Sequence, residues 1–321
     1  MKTSVAVCTY NGEKFLQQQI DSILNQTHPV DEIIVCDDGS ADATVEILNS
    51  YKEKYPELFQ IHINEKNLRS VKNFEKAISL CTHEIIFLSD QDDIWVENKV
   101  EKYLNYFETH PEIEVIASNG FGIDEYGKKI DAYSLWDIPY FLQEHNILIS
   151  YFDIITKISN IATGATMALK REFFQRCVPF PVIENYHHDE WLATCAAYEN
   201  SFVILHEKLF YYRIHVNQQV GNVFIEKSEK KKKMLLKPYE VLIGKKSFSA
   251  YKKILKRLAE AHVKNLYLSK QPTFLKEIFE ENTKKIELEY TRYKEEFRKD
   301  YPISYSILNS LDSLTQKRKI N

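Results

Sequence analysis

Ile85-Ile86-Phe87-Leu88-Ser89-Asp90-Gln91-Asp92-Asp93 is a short apolar run that ends in three carboxylates within four positions. Its length reads as a buried strand, so the acids stand where a strand leaves its sheet, the usual place for ligands in open α/β folds. Like charges this close repel and raise one another's pKa. A site that keeps all three ionised at neutral pH therefore calls for a divalent cation. The plainer reading makes Asp92 or Asp93 the cap of a helix that continues through Lys99 and Tyr103. A cap needs one carboxylate and leaves the others without a purpose.

Outward from this run, the first 120 residues alternate β-type segments (4–8, 32–36, 59–63, 84–88, 115–118) with helical ones (13–24, 43–54, 71–81, 97–109). Such alternation predicts a mostly parallel central sheet covered by helices. Asp42 and Ser70 stand where caps of two of these helices belong. Beyond Gly120 the rhythm becomes irregular, with an apolar-rich helix candidate at 146–158, a helix at 189–197, and strand-like runs at 202–205 and 209–214. Near Gly221 the composition turns rich in Lys and Glu and helical to the end of the chain. The expected division is thus an α/β domain at 1–221, made of halves at about 1–120 and 121–221, and a helical region at 222–321.

The 321 residues are 44% hydrophobic, ample for a core, and carry a net charge of −4. No global basic field exists, so nucleic acid is not expected as a partner. Five cysteines, Cys8, Cys36, Cys81, Cys177 and Cys195, lack paired metal-ligand spacing. Cys8 and Cys36 fall in apolar runs, and a reducing cytoplasm is the expected location. The start Met1-Lys2-Thr3 lacks a signal-peptide core, and no apolar run reaches the roughly 20 residues that span a bilayer. The run Lys230–Lys233 beside Met234, Leu235 and Leu236 leaves peripheral contact with an anionic membrane face as an expectation, against the alternative of a solvated linker.

Two further turns belong to the same sheet edge as the acids: Thr9-Tyr10-Asn11-Gly12 after the first strand and Asp37-Asp38-Gly39-Ser40-Ala41-Asp42 after the second. Neither is a phosphate-cradling glycine loop, which argues against a dinucleotide-binding unit. Gly122-Ile123-Asp124-Glu125-Tyr126-Gly127-Lys128-Lys129 approaches a P-loop, but Lys129 replaces the required hydroxyl residue and two acids occupy the loop. It reads as a surface turn.

In order and spacing, Cys8-Thr9-Tyr10-Asn11-Gly12, Asp37 to Asp42, Asp90-Gln91-Asp92-Asp93-Ile94-Trp95, Gly164-Ala165-Thr166-Met167 and His188-Asp189-Glu190-Trp191 resemble family 2 glycosyltransferases, over about residues 4–221. The resemblance implies a GT-A fold, Rossmann-like and mostly parallel, a nucleotide-diphosphate sugar donor, Mg²⁺ or Mn²⁺, and inversion at the anomeric carbon. It implies that Thr9 and Asp38 contact the base, with Tyr10 beside them, and that Asp37 supports their loop. The same resemblance implies that Asp90 faces the ribose or diphosphate, that Asp92 is the main metal ligand with Asp90 as the second candidate, and that Asp93 orients the site beside the sugar.

The chemistry fits those residue types. Negative charge builds on the departing diphosphate and is stabilised by a hard cation that one or two carboxylates hold. The acceptor hydroxyl must lose a proton on the opposite face of the sugar, to a carboxylate placed there. Asp189 is the candidate base. His188 stands where the family usually has Glu, as in a rhamnosyltransferase-like, surface-polysaccharide subset, and this leaves Glu190 as the alternative base. Capping of its helix is the plainer role for Asp189.

Tyr211-Tyr212-Arg213-Ile214-His215-Val216-Asn217-Gln218 resembles a late motif of that subset, which makes Arg213 and His215 candidate phosphate partners or, alternatively, structural residues. Arg69 occupies a place where relatives often have glycine and either reaches the nucleotide or solvates a helix start. The segment 146–158 is core, or in part a wall against a lipid-linked acceptor.

The expected function is transfer of a sugar from a nucleotide-diphosphate donor to a saccharide or lipid-linked saccharide, in assembly of a capsule, O-antigen or cell wall. The alternatives are a sugar-nucleotide pyrophosphorylase, which would carry a Gly- and Arg-rich loop after the first strand, and a non-catalytic nucleotide- or carbohydrate-binding module. The sugar, whether rhamnose or another hexose, is set by a few pocket contacts that the sequence does not locate.

Overall fold

The computed structural model describes residues 1–148, 150–216, 218, 223–239, 246–315 and 318–320. The expected boundary at Gly221 and the motif residue Asn217 lie outside them. The chain forms two compact units, one of Met1–Asp137 with Ala162–Glu226 and the other of Ile138–Ile161 with Lys227–Asn321.

The first unit holds β1 (Thr3–Thr9), α1 (Leu16–Leu24), β2 (Glu32–Asp37), α2 (Thr44–Lys54), β3 (Phe59–Ile63), α3 (Arg69–Leu80), β4 (Ile85–Ser89), β5 (Ile94–Trp95), α4 (Lys99–Thr109), β6 (Val115–Ile123), β7 (Lys129–Ile130) and β8 (Ala132–Ser134). The second unit interrupts it with α5 (Ile138–Gln143) and α6 (Tyr151–Asp153). The first unit resumes with β9 (Ala168–Lys170), α7 (Arg171–Cys177), α8 (His188–Tyr198), β10 (Phe202–Arg213) and β11 (Phe224–Glu226). The second is completed by α9 (Glu229–Leu236), α10 (Phe248–Leu268), α11 (Lys276–Asp300) and α12 (Pro302–Thr315).

Strand order in the main sheet is β3-β2-β1-β4-β9-β6-β10-β5, with β7 pairing β6. β3, β2, β1, β4, β6 and β10 run one way; β9, β5 and β7 oppose them. The sheet is therefore mixed. Every residue of β2 and β4 is buried, as strands covered on both faces require, and this explains their unbroken apolar runs. Helix α1 buries Leu16, Ile20 and Ile23 at helical spacing, each contributing about 1.5–3 kcal/mol.

Several expected elements are corrected. Among the described residues of 146–158 the helix begins at Tyr151, and Ile154–Ile158 form a π-helical turn, so the segment is no single α-helix. Ser70 does not cap α3; the helix already includes Arg69, and the Ser70 hydroxyl lies 3.4 Å from His188 Nδ1. The two late strand-like runs are one strand, β10, with register shifts between Leu205 and Tyr211 that absorb the polar residues between them. The near P-loop is a turn after β6, with Asp124 Oδ1 accepting the Tyr126 and Lys128 amides.

The second unit packs α10 on α11 and α12 through Tyr251, Leu255, Leu258, Ile286 and Phe297. No helix among the described residues is long and apolar enough to cross a membrane.

Candidate active site

β1, β2 and β4 are parallel and in register, with Thr9 opposite Asp37 and Val7 opposite Ser89, so their following turns emerge at one sheet edge. The acidic loop Asp90–Asp93 leaves β4 there. It then returns as β5, pairing Ile94 with Tyr211 and Trp95 with Phe210 of β10. Two strands thus fix the loop at both ends.

Asp90 and Asp92 are partly exposed, whereas Asp93 is 2% exposed. Burial pushes the Asp90 carboxyl up to about 7, with help from the charges of Asp92 and Asp189 and opposed by Lys99. Asp93 is likewise raised by burial and then by Asp92 and Asp90, against the Arg213 amide and Lys99. The Asp93 Oδ1 accepts that amide at 3.0 Å, while its buried Oδ2 has no hydrogen-bond partner. His215 Nε2 lies 2.8 Å from Asp92 Oδ2.

Arg213 takes a place other than a phosphate fork. It is 2% exposed, its Nε donates to the Asp92 carbonyl at 2.8 Å, and its Nη2 donates to Gln18 Oε1 at 2.6 Å. Nη1 donates to the Asp124 and Glu125 carbonyls, and the guanidinium lies 4.5 Å from the Phe15 ring centre. With each nitrogen engaged inside the protein, Arg213 braces the acidic loop from behind.

Among the described residues no three His, Cys, Asp or Glu side chains are grouped closely enough to enclose a metal. The donor set nonetheless fits a hard divalent ion held through one or two carboxylates, whose shell a diphosphate completes: Asp92 is accessible, and the mutual repulsion that raises Asp90 is what a cation relieves.

On the nucleotide side, Asp37 is fully buried and accepts from Thr9 Oγ1, Ser40 Oγ and the amides of Gly39 and Ser40. Gly39 sits at φ +83°, the left-handed region that this turn requires. Asp38 accepts the Leu68 and Arg69 amides at 2.7 and 2.8 Å and the Asn64 amide at 2.9 Å, so it ties the start of α3 to β2. Arg69 itself has φ +62°, in line with the glycine expected at that place. Tyr10 is 46% exposed, and Gln91 bonds both its backbone N–H and its carbonyl, joining the first turn to the acidic loop.

Asp189 stands in the first turn of α8. Its Oδ2 accepts the Gly164 amide at 3.1 Å, and its Oδ1 the Glu190 amide at 2.6 Å. Its charge is felt by Asp90 and by Tyr212, so the carboxylate shares the acidic loop's surroundings. Glu190 is 5% exposed while Asp189 is partly open, a difference that bears on which of them can meet a substrate.

His188 stacks on Phe74 with ring centres 3.9 Å apart, and burial drives its pKa down to about 4. The sign follows directly. Between pH 6.5 and 4 the unfolded chain binds a proton at this histidine that the native fold refuses, so its contribution is intact above 6.5 and lost as pH falls towards 4. The expected cost at pH 4 is on the order of 3 kcal/mol. Urea titrations should show a shallower acid decline for His188→Gln than for wild type; equal slopes would remove His188 from the account.

Sequence reasoning assigned no role to Lys99 or Gln91 and did not see β5. A two-residue strand has no periodicity to detect. The available signal was a lysine between Trp95 and Val100-Tyr103, inside an apolar pattern.

The mixed sheet, the carboxylate loop at its edge and the C-terminal helical region make this a GT-A-type fold. The chain belongs to glycosyl transferase family 2, whose model matches residues 4–176. It is 33% identical over 130 residues, 39% of this chain and 48% of the relative, to the amylovoran biosynthesis glycosyltransferase AmsE of Erwinia amylovora. An uncharacterized glycosyltransferase of Nostoc sp. is 28% identical over 67% of this chain and 65% of its own length. The chain thus spans about half to two thirds of these relatives. In fold it is similar to S. aureus TarS in complex with UDP-GlcNAc, with TM-score 0.55 and 20% identity over 88% of this chain and 79% of that one. It is also similar to a Pyrobaculum calidifontis mannosyltransferase in complex with GDP-Man and Mn²⁺, with TM-score 0.51 and 14% identity over 98% and 80% of the two chains.

Proposed function

We propose that this chain is an inverting glycosyltransferase that moves a hexose, rhamnose among the candidates, from a nucleotide-diphosphate donor to a saccharide or lipid-linked saccharide in surface polysaccharide assembly. The observation that carries this reading is an accessible Asp92 beside Asp90 at the sheet edge, with Asp189 oriented by the Gly164 amide of a turn whose Met167 carbonyl accepts the Leu88 amide of β4 at 3.0 Å, two residues before Asp90. The glycosyltransferase relatives, AmsE among them, and the nucleotide-sugar complexes of the fold neighbours support it.

In this reading Thr9, Tyr10, Asp38 and Arg69 line the nucleotide side, with Asp37 holding their loop. Asp92, with Asp90, holds Mn²⁺ or Mg²⁺, which neutralises charge on the leaving diphosphate when bound. His215 orients the Asp92 carboxylate through its 2.8 Å contact, and Arg213 and Asp93 keep the loop in place. Asp189 accepts the acceptor hydroxyl proton, and the Gly164 and Glu190 amides that it accepts orient its carboxylate. The test is turnover of a panel of UDP-GlcNAc, UDP-glucose, UDP-galactose, GDP-mannose and dTDP-rhamnose with Mn²⁺. Acceptor-dependent release of a nucleoside diphosphate supports the proposal. Release of a nucleoside triphosphate on adding pyrophosphate identifies a pyrophosphorylase instead, and binding without turnover identifies a binding module.

A cytoplasmic location with peripheral membrane contact goes with a lipid-linked acceptor. On α9, Lys230, Lys233 and Met234 are exposed, while Lys232 pairs with Glu144 at 2.8 Å. Each lysine near an anionic surface contributes about 1 kcal/mol. Cosedimentation with phosphatidylglycerol vesicles at low salt, lost at high salt, is the expected result; equal recovery with and without vesicles would refute it.

A further inference from the structure

Lys99 is fully buried, the first residue of α4, and unused by the chemistry above. A buried ammonium at the positive end of a helix is doubly disfavoured. Burial indeed pushes its pKa down to about 7, against the charges of Asp93 and Asp90. Its nitrogen sits in a cage of Trp95, Phe210 and Tyr103, at 4.1, 5.5 and 5.8 Å from the ring centres. Within that cage it donates one hydrogen bond, to the Ala165 carbonyl at 2.9 Å. One helical turn on, the Tyr103 hydroxyl donates to the next carbonyl, that of Thr166. Residues four apart share a helix face, so α4 grips two consecutive carbonyls of one turn.

The same turn reaches the candidate base. Its inner bonds run from the Thr166 amide to the Thr163 carbonyl and from the Met167 amide to the Gly164 carbonyl, at 2.9 and 2.8 Å. Trp136 Nε1 holds Thr163 Oγ1 at 3.1 Å. With its carbonyls turned to α4, the turn presents the Gly164 amide to Asp189 Oδ2. A Cβ at residue 164 would stand 2.5 Å from His188 Nε2, so only glycine brings this backbone so near α8.

We propose that Lys99 and Tyr103 are positioning residues for Asp189, acting through the turn at residues 163–167; the inference rests on the reading of Asp189 as the base. When protonated, Lys99 makes the hydrogen bond to Ala165 charge-assisted within a buried cage, about twice as strong as a neutral one. Tyr103 fixes the neighbouring peptide. Together they hold the Gly164 amide, and through it the carboxylate, where the acceptor hydroxyl arrives. Displacement by about 1 Å costs on the order of 10²-fold in rate.

The experiment uses the full chain, Mn²⁺ and the best-used donor of the panel above, with kcat and KM from nucleoside diphosphate release and donor affinity from calorimetry. Tyr103→Phe is expected to lower kcat by several-fold with donor KM and Kd within about twofold of wild type, and Lys99→Met to lower kcat by about 10- to 100-fold; because the Lys99 charge also acts on Asp90 and Asp93, donor affinity is read in Tyr103→Phe. Tyr103→Phe keeps charge and volume, so it decides the matter even where Lys99→Met fails to fold. Wild-type kcat in Tyr103→Phe, or loss of donor affinity in step with kcat in that variant, overturns the proposal. Asp189→Asn in the same series separates the two levels. If it is inactive while Lys99→Met and Tyr103→Phe turn over normally, the positioning role alone falls; if it is fully active, the base assignment falls and takes the positioning role with it.

Discussion

Asp189→Asn is expected to leave fold and donor binding nearly intact while sugar transfer drops by roughly 10²-fold or more, the usual contribution of a positioned general base. Asparagine keeps the shape of the side chain, and its amide oxygen can still accept the Gly164 or the Glu190 amide that Asp189 now accepts. It cannot take a proton from the acceptor hydroxyl. Glu190→Gln serves as the control. That side chain is buried, so its loss should cost less transfer. Normal transfer by Asp189→Asn with loss in Glu190→Gln would move the base by one residue. Full activity in both variants on a verified acceptor would exclude the start of α8 from the proton transfer.

Asp92→Ala is expected to remove most of the dependence on Mn²⁺ or Mg²⁺ and most of the turnover. Without the accessible carboxylate the leaving diphosphate is poorly neutralised, a deficit of several kcal/mol in the transition state. Loss of Asp92 also strips the partner from His215. Calorimetric titration of Mn²⁺ in the presence of the nucleoside diphosphate should show weakened binding in the variant. Full wild-type activity in excess chelator would overturn the assignment of Asp92 as a metal ligand.

Much of this architecture was legible in the chain because buried parallel strands write themselves as unbroken apolar runs: 33–36 and 85–88 could be read without a structure. The acidic loop announced itself as charge against that background. What stayed hidden depends on contacts across long sequence distances. Arg213 reads in the sequence as either a phosphate ligand or a structural residue, and its partners, Gln18, Asp92, Asp124 and Glu125, come from three distant segments that no local pattern joins. Lys99 read as an ordinary helix residue, and only the fold reveals that β10 and the turn at 163–167 close over it. Ser70 was expected to cap α3 by local rules, but Asp38 from the turn after β2 accepts the Leu68 and Arg69 amides, and the helix starts one residue earlier, at Arg69. The break in the segment 146–158 was equally invisible, since a π-helical turn shares the apolar spacing of an α-helix closely enough to pass for one.

The central claim, metal-assisted inverting transfer with Asp189 as the base, is tested most directly by following the anomeric proton in an NMR time course of the full chain with Mn²⁺, its preferred sugar nucleotide and a verified acceptor. The first glycoside formed is expected to have the anomeric configuration opposite to that of the donor, and Asp189→Asn to slow its appearance by roughly 10²-fold or more. A first product with the donor's own configuration, or undiminished product from Asp189→Asn, would contradict it.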